Sequence, residues 1–407
     1  MEHLRIEPID ILHLRGNRLF AESGDAAALM PPWPSVFAGA LRTRMLADAG
    51  QIEAFVERKL EGPLASVIGP SCETPGSFQV RYVALERTPA GQAAQLWSPL
   101  PADLIALSAE RDRDSALGKG SDRRAPHEIR VERLQLHRCE ELCVAGSFPL
   151  PCTPVLRTST QEKPVSGIWV SCEGLGRYQR GGTPGAEDLV WSRDLWRSDP
   201  RLGIAVSSTS RTAREGLLFT SEAVSLCPGV AFVVGVSGAN GVLPREGLLR
   251  LGGDGRGARV SPWERLPTPA PWEYRPSTDR FFFWLVTPGL FPQGWLPPGA
   301  EAANGKVLWR CQGLEAELVC AAVPRAEVIS GWDLALKRPK PARRAVPAGA
   351  VYWFERRSGD LKDLGVLLDQ GLWALLPEDW ERSRRAEGFN NVWLGEWGRE
   401  PNPSGEE

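Results

Sequence analysis

The N-terminal segment alternates hydrophobic and polar residues. Residues 4–14 are rich in Ile and Leu, and near their end Leu12 and Leu14 alternate with His13 and Arg15. Alternation with a period of two places successive side chains on opposite faces of a strand. The pattern therefore predicts a first β-strand over residues 4–14, with Leu12 and Leu14 on one face and His13 on the other, followed by a turn.

Residues 36–47 carry the spacing typical of an α-helix. The prolines within residues 31–34 oppose helix formation before Ser35, which we predict as the N-cap because its hydroxyl can accept a bond from an early backbone N–H. Gly39 costs up to ~1 kcal/mol relative to Ala inside a helix, so we expect close backbone packing there. The predicted apolar stripe, with members every three or four residues, is Val36, Phe37, Ala40, Leu41 and Met45.

Short strand-like segments and loops make up most of the remaining chain. Residues 109–133 are dense in charge and poor in apolar side chains, which predicts a solvated loop or an insertion. Residues 252–257 are predicted to be a glycine-rich loop between strands. Strands are predicted within residues 202–226, 229–236 and 281–286, and a second helix within residues 361–375.

The composition is that of a globular protein with many turns. The chain has 407 residues, 42% hydrophobic and 24% charged, which suggests two or three domains. Gly (42 residues) and Pro (35) recur along its whole length, which favours short elements joined by loops. Lys and Arg total 48 against 50 Asp and Glu, a net charge of −2, so nucleic-acid binding requires a local basic surface.

The sequence predicts a cytoplasmic protein that does not contact a membrane. Its eight Cys follow no regular spacing, and the N-terminus lacks the apolar core of a signal peptide. No apolar run approaches the ~18 residues needed to cross a bilayer. We therefore expect reduced thiols.

The connection between the first strand and the first helix is the first candidate for binding an anion. Arg15, Asn17 and Arg18 lie there, close to a helix N-terminus, whose free N–H groups and dipole favour phosphate. The alternative is an ordinary strand-to-helix connection that carries surface arginines.

Two later loops carry clustered basic residues. The loop 252–257, which includes Arg256, lets its backbone approach a ligand closely, but it has neither the ending of a Walker loop nor the context of a dinucleotide fingerprint. A plain hairpin turn explains it equally well. Residues 337–344 include Lys337 and Lys340 among five basic residues and no acid, which is typical of a solvated loop or of a segment that follows a phosphate backbone.

Neither a metal site nor a catalytic constellation stands out. His137, Cys139, Cys143 and Cys152 are close in sequence, but their spacing matches no common zinc finger, so we predict no metal and no cofactor, with structural zinc as the alternative. His13 is a candidate general base for RNA cleavage, yet no Ser-His-Asp or Cys-His set accompanies it.

Several short motifs follow one another along the chain. Residues 15–20 (Arg-Gly-Asn-Arg-Leu-Phe) are similar to a motif that usually reads Arg-Asp-x-Arg-Pro-Phe, and residues 32–43 resemble Pro-x-Pro-Ser-x-x-x-Gly-Ala-Leu-Arg. With shorter matches, they resemble the RAMP superfamily of CRISPR-associated proteins, and within it the third subunit of the type III-B Cmr complex. Gly16 and Leu19 depart from the pattern, and residues 109–167 match nothing. The shorter matches are 96–101, 203–204, 211–219, 251–256, 287–291, 294–295, 330–333, 346–352 and 388–395.

The resemblance implies an α+β fold with two ferredoxin-like (RRM-type) modules, long loops and insertions. With a boundary predicted near residue 226, the modules are residues 1–226, including a charged insertion around 109–167, and residues 227–400, followed by a disordered tail at 401–407. Single-stranded RNA can stack and hydrogen-bond on the sheets and loops of such modules.

The resemblance also implies a non-catalytic role in antiviral defence. The subunit would bind the 5′ handle of the crRNA, dock the large polymerase/cyclase subunit and the backbone RAMP subunit of the Cmr complex, and meet target RNA only indirectly. The residues expected to contact RNA are Arg15, Asn17, Arg18, Ser35 and Arg42 by motif, and Arg211, Arg214, Arg256, Lys337 and Lys340 as basic residues beside matched motifs.

Two alternatives remain at this stage. The chain is either a metal-independent RAMP endoribonuclease that processes precursor crRNA with His13 as general base, or a scaffold without RNA contact. The aromatic residues Trp33, Phe37 and Trp393 either stack on bases or pack in the core, and the place of Phe37 on the apolar stripe favours packing.

Overall fold

The computed structural model describes most of the chain. No helix of the described residues is long and apolar enough to cross a membrane. The described residues are 1–14, 25–26, 29–71, 73–89, 91, 93–108, 129–142, 150–158, 162–207, 209–264, 270–303, 305–333 and 336–398, with the backbone alone at 25–26, 108 and 213–219.

β-Strands dominate these residues. In chain order they are β1 (Glu2–Pro8), β2 (Asp25–Ala26), β3 (Gln79–Arg87), β4 (Gln95–Pro99), β5 (Leu104–Ser108), β6 (Ile129–Arg133), β7 (Gln135–Arg138), β8 (Cys152–Val155), β9 (Ile168–Ser171), β10 (Leu189–Trp191), β11 (Trp196–Val206), β12 (Ala213–Leu226), β13 (Val230–Ser237), β14 (Gly247–Arg250), β15 (Gly257–Pro262), β16 (Arg280–Leu285), β17 (Ala300–Ala303), β18 (Lys306–Cys311), β19 (Leu314–Ala322), β20 (Glu327–Ile329), β21 (Trp332–Asp333), β22 (Arg338–Pro339), β23 (Arg343–Ala345), β24 (Val351–Ser358) and β25 (Val392–Glu396).

The helices are few and short. The 3-10 helices are Ala186–Asp188, Ser192–Asp194, Pro271–Glu273, Leu361–Leu364, Gly371–Leu375 and Arg382–Glu387. The α-helices are α1 (Pro34–Asp48), α2 (Ile52–Val56), α3 (Pro63–Ile68), α4 (Cys172–Gln179) and α5 (Gly365–Gln370).

The first sheet contains eight antiparallel strands in the order β10-β9-β4-β3-β13-β1-β15-β14. Numbered by their place in the chain, its four central strands β3-β13-β1-β15 follow the order 2-3-1-4. Helix α1 lies in the connection from β1 to β3, and β13 is inserted between these two strands. This is a split βαβ arrangement.

The second sheet is also antiparallel, in the order β17-β18-β19-β24-β16-β25. Its strands β19-β24-β16-β25 repeat the order 2-3-1-4, but here helix α5 lies in the connection from the third strand to the fourth. The broad prediction of an α+β fold is therefore confirmed.

The two sheets bury one face each against the other. Tyr82 of β3 and Val233 of β13 share a hydrophobic core with Trp284, Trp353 and Trp393 of the second sheet. The rings of Tyr82 and Trp393 meet edge to face, with centroids 5.6 Å apart. Helix α1 packs on the outer face of the first sheet and α5 on the outer face of the second. The inner sheet faces are therefore closed, so the expectation that RNA stacks on an open sheet face is wrong for these two faces.

Helix α1 begins two residues earlier than its sequence pattern predicted. Trp33 is the N-cap residue, Pro34 is the first helical residue, and no side chain caps the helix. The prediction of Ser35 as the N-cap is wrong, because proline at the first helical position loses no hydrogen bond and already has a helical φ. The predicted apolar stripe is confirmed where Phe37 packs against Phe232 of β13, with 5.1 Å between ring centroids.

Gly39 does not have the close contact that we expected. It lies on the exposed side of α1, and a Cβ added there would meet no atom within 4 Å. Among the described residues, nothing requires glycine at this position.

The first strand is shorter than predicted. It ends at Pro8, the next two residues bend, and pairing resumes only as a bridge between Leu12 and Val224. His13 is buried together with Leu12 and Leu14. Alternation did not show that a glycine-rich loop distant in sequence covers His13.

The other predicted elements are mostly confirmed. The strand predictions correspond to the β11–β12 pair, β13 and β16, and the second helix corresponds to α5 with its flanking 3-10 turns. The loop prediction for residues 109–133 is wrong at β6, which pairs with β5 because Ile129 and Val131 alternate into the core. Residues 109–128 and the tail 401–407 lie outside the described residues.

The change from one sheet to the other occurs later in the chain than residue 226. β13, β14 and β15 all belong to the first sheet, which therefore extends to Pro262. The second sheet begins at Arg280 with β16. The predicted boundary fell on a proline-glycine turn, and local composition does not show which strands such a turn joins.

His3 lies in the aromatic part of the core between the sheets. Its ring centroid is 5.9 Å from those of Tyr82 and Trp263 and 5.1 Å from that of Trp272. Its Nε2 is buried without a hydrogen-bond partner in the described structure. Burial, together with the nearby N-terminal positive charge, lowers the pKa of His3 from 6.5 to about 4.

Acidification is expected to destabilise the protein through His3. Below about pH 6.5 the unfolded chain binds a proton at His3, whereas the folded protein keeps this residue neutral down to about pH 4, so the free energy of unfolding falls as the pH drops through this interval. His3→Phe should lose this part of the pH dependence. Urea denaturation of both proteins across the interval measures the difference, and parallel stability profiles would contradict it.

Candidate nucleic-acid interface

The end of the first strand is held by backbone contacts on two sides. Leu12 bridges to β12, and the carbonyl of Leu14 accepts a hydrogen bond from the N–H of Leu29 at 2.8 Å. Arg15, Asn17 and Arg18 lie outside the described residues, between these two ends. The described structure therefore fixes the positions of residues that precede and follow this predicted motif in the chain.

The glycine-rich loop packs against this strand end. The N–H of Gly253 donates to the carbonyl of His13 at 2.9 Å. Gly252 has a φ of +73°, and a Cβ there would lie 2.8 Å from the same carbonyl oxygen. The loop connects β14 to β15, so the hairpin interpretation is correct. We call residues 12–14 together with the loop 252–257 the strand-end corner.

Side chains of the corner pair with each other and with Asp10, which lies just before it in the chain. Arg256 donates from Nη1 to Asp10 Oδ2 at 3.4 Å, so part of its charge is used within the fold. His13 is only 6% exposed, and its Nε2 lies 3.5 Å from Asp254 Oδ2. Its Nδ1 is buried and has no partner among the described residues. The corner is thus closed around His13.

Two predicted RNA contacts lie on helix α1. Ser35 is half-buried in the first turn of α1, and its neighbour Pro34 packs against Gly388. Arg42 points into the fold: its Nη2 donates to the carbonyl of Ile68 at 2.9 Å. The two residues lie seven positions apart and therefore on the same side of α1, but the guanidinium of Arg42 is bound to the carbonyl of Ile68.

The ribbon β11–β12, an antiparallel pair to which β2 adds a short parallel strand, carries Arg211. Most of β11 is exposed, and Arg211 is exposed in the turn beyond it, where its N–H donates to the carbonyl of Ser207 at 2.9 Å. The side chain of Arg214 lies outside the described residues. Three exposed apolar residues alternate along one side of the ribbon: Leu202, Ile204 and Val206.

The described residues 327–333 and 336–345 form what we call the basic arm. β20 pairs with β23, and β21 pairs with β22 as a smaller hairpin beyond them. The arm packs against the start of α1, where the indole N–H of Trp33 donates to Glu327 Oε2 at 3.2 Å. Burial raises the pKa of Glu327, although the bond from Trp33 favours the charged form. The tertiary structure thus brings the basic run of the sequence beside the N-terminus of α1.

The cations of the basic arm are not equivalent. Lys340 pairs with buried Glu387, and Arg343 pairs with Glu381 at 2.6 Å. Lys337 and Arg338 are exposed, and neither forms a salt bridge with another described residue. Lys337 thus presents its charge to solvent as expected, whereas Lys340 helps to anchor the arm.

The aromatic candidates for stacking on bases are all buried. Trp33, Phe37 and Trp393 are all buried, so each packs in the core in this structure. Trp332 is 57% exposed, whereas each of the other fifteen tryptophans, all described, is buried or half-buried. The sequence analysis did not single out Trp332 as a candidate; its position next to the basic run was the available signal.

The cysteine cluster does not form a metal site in the described residues. Cys139 and Cys152 line an apolar cavity of about 710 Å³ together with Trp295 and Arg344. No group of three or more His, Cys, Asp or Glu among the described residues is arranged to hold a metal ion, and Cys143 lies outside them. Burial raises the pKa of Cys152, which disfavours the thiolate that a metal requires.

A model of one protein family matches this chain over nearly its whole length. The family model described as CRISPR-associated protein (Cas_Cmr3) matches residues 4–397. No curated protein matches the chain. A chain in the cryo-EM structure of the Type III-B Cmr-beta bound to cognate target RNA and AMPPnP is 13% identical, with 97% of this chain and 99% of that chain covered and a TM-score of 0.50.

Two further solved structures are similar over most of the chain. A chain of the Type III-B Cmr-beta bound to cognate target RNA is 12% identical, with 96% of both chains covered and a TM-score of 0.48. A chain of the Csm3-Csm4 subcomplex of the type III-A CRISPR-Cas interference complex is 9% identical, with 88% and 93% covered and a TM-score of 0.33.

Gly252→Ala is expected to destabilise the strand-end corner more than Gly255→Ala does. Both glycines have positive φ, +73° and +63°, but only at Gly252 would the new Cβ meet a backbone oxygen, that of His13 at 2.8 Å. The positive φ costs about 1 kcal/mol in either variant, and overpacking adds about 1–3 kcal/mol at Gly252. Urea denaturation measures both, and equal losses would show that the loop does not press on His13.

Proposed function

The chain belongs to the family of CRISPR-associated proteins described as Cas_Cmr3, and on this premise we propose that it is a non-catalytic subunit of a type III-B effector that binds the 5′ handle of the crRNA. The family match over residues 4–397 carries this proposal. The net charge of −2 agrees with a protein that holds RNA through a local surface among partners rather than through a general positive field.

We propose that the two sheets correspond to the two ferredoxin-like modules that the family resemblance implies. Each contains four strands in the order 2-3-1-4, and helices pack on the outer face of each, α1 and α3 on the first sheet and α5 on the second. The modules meet through their inner faces, so the change of module falls between Pro262 and Arg280. This arrangement leaves edges, loops and hairpins for contact with RNA.

The RNA path that we propose follows the strand-end corner and the basic arm. Arg15, Asn17 and Arg18 follow directly after the corner in the chain, where a glycine-rich loop lets a nucleic-acid backbone approach. Arg256 belongs to the corner, and we assign Ser35 in the first turn of α1 and Lys337 on the basic arm to the same path. The remaining candidates, Arg42, Arg211, Arg214 and Lys340, complete the proposed set of RNA contacts.

We propose that the ribbon β11–β12 contributes to docking on neighbouring subunits. Leu202, Ile204 and Val206 expose 68%, 49% and 55% of their surface along one side of β11. A row of exposed apolar side chains is typical of a surface that another protein covers. The proposed neighbours are the large polymerase/cyclase subunit and the backbone RAMP subunit, through which the chain would meet target RNA indirectly.

Replacing Arg15 and Arg18 together by Ala is expected to weaken guide-RNA binding by about tenfold or more, because each charge-assisted bond to phosphate is worth about 1.5–3 kcal/mol. The measurement is retention of labelled crRNA by the effector reassembled with the variant chain, over a range of salt concentrations. Binding should also become less dependent on salt, because fewer counterions are released.

The matched control removes two arginines elsewhere. Arg58 and Arg310 are exposed and paired with Glu73 and Glu301, respectively, so Arg58→Ala with Arg310→Ala should leave retention unchanged. Unchanged retention in the Arg15 and Arg18 variant, with the assembly intact, would favour a scaffold without RNA contact.

The alternative function is a metal-independent endoribonuclease with His13 as general base. A general base must reach the proton that it removes, within about 3 Å. Here Nδ1 of His13 is buried and Nε2 faces Asp254. This geometry disfavours direct access of a ribose hydroxyl to His13.

Purified protein without added metal is therefore expected to leave repeat RNA intact, in wild type and in His13→Ala alike. Gel analysis of end-labelled RNA detects any cut, with heat-inactivated protein as the control. Site-specific cleavage by wild type that disappears in His13→Ala would establish the endoribonuclease.

A further inference from the structure

Trp332 lies on a short hairpin that exposes its side chain to solvent. In the pair β21–β22, Trp332 lies opposite Pro339, and Asp333 lies opposite Arg338. Side chains directly opposite each other in an antiparallel pair share one face. The indole of Trp332 and the ring of Pro339 therefore share one face of the hairpin, and Arg338 lies on the other.

The base of this hairpin is fixed by a buried cation. Arg384, 2% exposed, donates to the carbonyl of Ser330 at 3.0 Å and to that of Pro341 at 2.7 Å, so it joins the two strands below the hairpin. Glu387 accepts from Arg384 at 2.9 Å and also pairs with Lys340. A buried network of this kind holds an exposed side chain in a defined position.

The upper part of the hairpin also has defined geometry. The carboxylate of Asp333 accepts a bond from the N–H of Leu336 at 3.0 Å, and Lys337 has a φ of +51°. The acidic side chain therefore has a structural use, while the cations of Lys337 and Arg338 stay exposed on the same hairpin, Lys337 in its turn and Arg338 on the face opposite to that of Trp332. An exposed indole with cations on the same hairpin is complementary to a base attached to phosphates.

We propose that Trp332 stacks on an unpaired base of single-stranded RNA, while Lys337 and Arg338 contact the neighbouring phosphates. This inference rests on the proposed function and assigns it a new contact. Stacking on an indole accepts any base, so the contact is tolerant of sequence. It holds one nucleotide in place rather than reading its identity.

A protein partner fits this hairpin less well. Pro339 has no N–H, so β22 is unsuited to pairing with a strand of another chain. One indole and one proline ring also form a platform far smaller than the ~800 Å² per partner of a stable protein interface. A single nucleotide matches both the size and the charge of the platform.

The test is photo-crosslinking within the assembled effector. Guide RNAs that each carry one 5-iodouridine at a different unpaired position are assembled with the full chain and its partner subunits, irradiated, and analysed by mass spectrometry of crosslinked peptides. We expect one RNA position to crosslink to the peptide containing Trp332. The crosslink should disappear in Trp332→Ala and persist in Trp332→Phe, because a phenyl ring still stacks.

Matched variants separate stacking and charge from general effects. Val328→Ala removes another exposed apolar side chain of the same arm and should leave the crosslink unchanged. Lys337→Ala with Arg338→Ala should lower the crosslink yield, whereas Lys362→Ala, at an exposed lysine outside the arm, should not. Removing the stacked base contact is expected to weaken binding of the RNA segment by about 5- to 150-fold.

The outcomes distinguish this inference from the proposed function. If RNA crosslinks to other residues of the chain but never to Trp332, the stacking contact is wrong and RNA binding stands. If no RNA position crosslinks to the chain, both the stacking contact and the proposed RNA-binding function are wrong. If Trp332→Ala keeps every RNA crosslink but releases a neighbouring subunit on gel filtration, Trp332 contacts protein instead and the inference is overturned.

Discussion

Two β-sheets press their inner faces together through a shared aromatic core, and the positions of the other elements follow from this contact. Tyr82 and Val233 on one side meet Trp284, Trp353 and Trp393 on the other. Large rings contribute much buried area and prefer edge-to-face geometry, which favours a single arrangement of the two sheets. Because the inner faces are closed and helices cover part of the outer faces, the edges, loops and hairpins carry the polar chemistry.

The polar surface is built on rigid supports. At the strand-end corner, two backbone bonds and a closely packed glycine fix the segment that precedes Arg15. In the basic arm, buried Arg384 and Glu387 fix the base of the hairpin that carries Trp332. Binding groups on rigid supports lose less entropy when a ligand arrives, so a small number of contacts can hold one end of an RNA.

Tertiary contacts determine which charged side chains are paired inside the fold and which remain exposed. Several cations in basic stretches of the sequence are used inside the fold: Arg42 donates to a carbonyl, Arg256 pairs with Asp10, and Lys340 pairs with Glu387. Lys337 and Arg338, from the same stretch as Lys340, remain exposed. A near-neutral protein can therefore present a basic surface where a few charges stay unpaired, and that surface depends on salt.

The sequence by itself determined the class of fold, the family and several of the elements, among them α1, α5, β13 and β16, because local periodicity and ordered motifs depend on neighbouring residues. It predicted the apolar stripe of α1 and the packing of Phe37, and it located the basic stretch that contains Lys337. Only the tertiary structure decided that β13 enters the first sheet between β1 and β3, that His13 is covered by a distant glycine-rich loop, and that Trp332 alone among the tryptophans is exposed. These features depend on contacts between residues far apart in the chain, and no local pattern records which distant segment will cover a side chain or leave it in solvent.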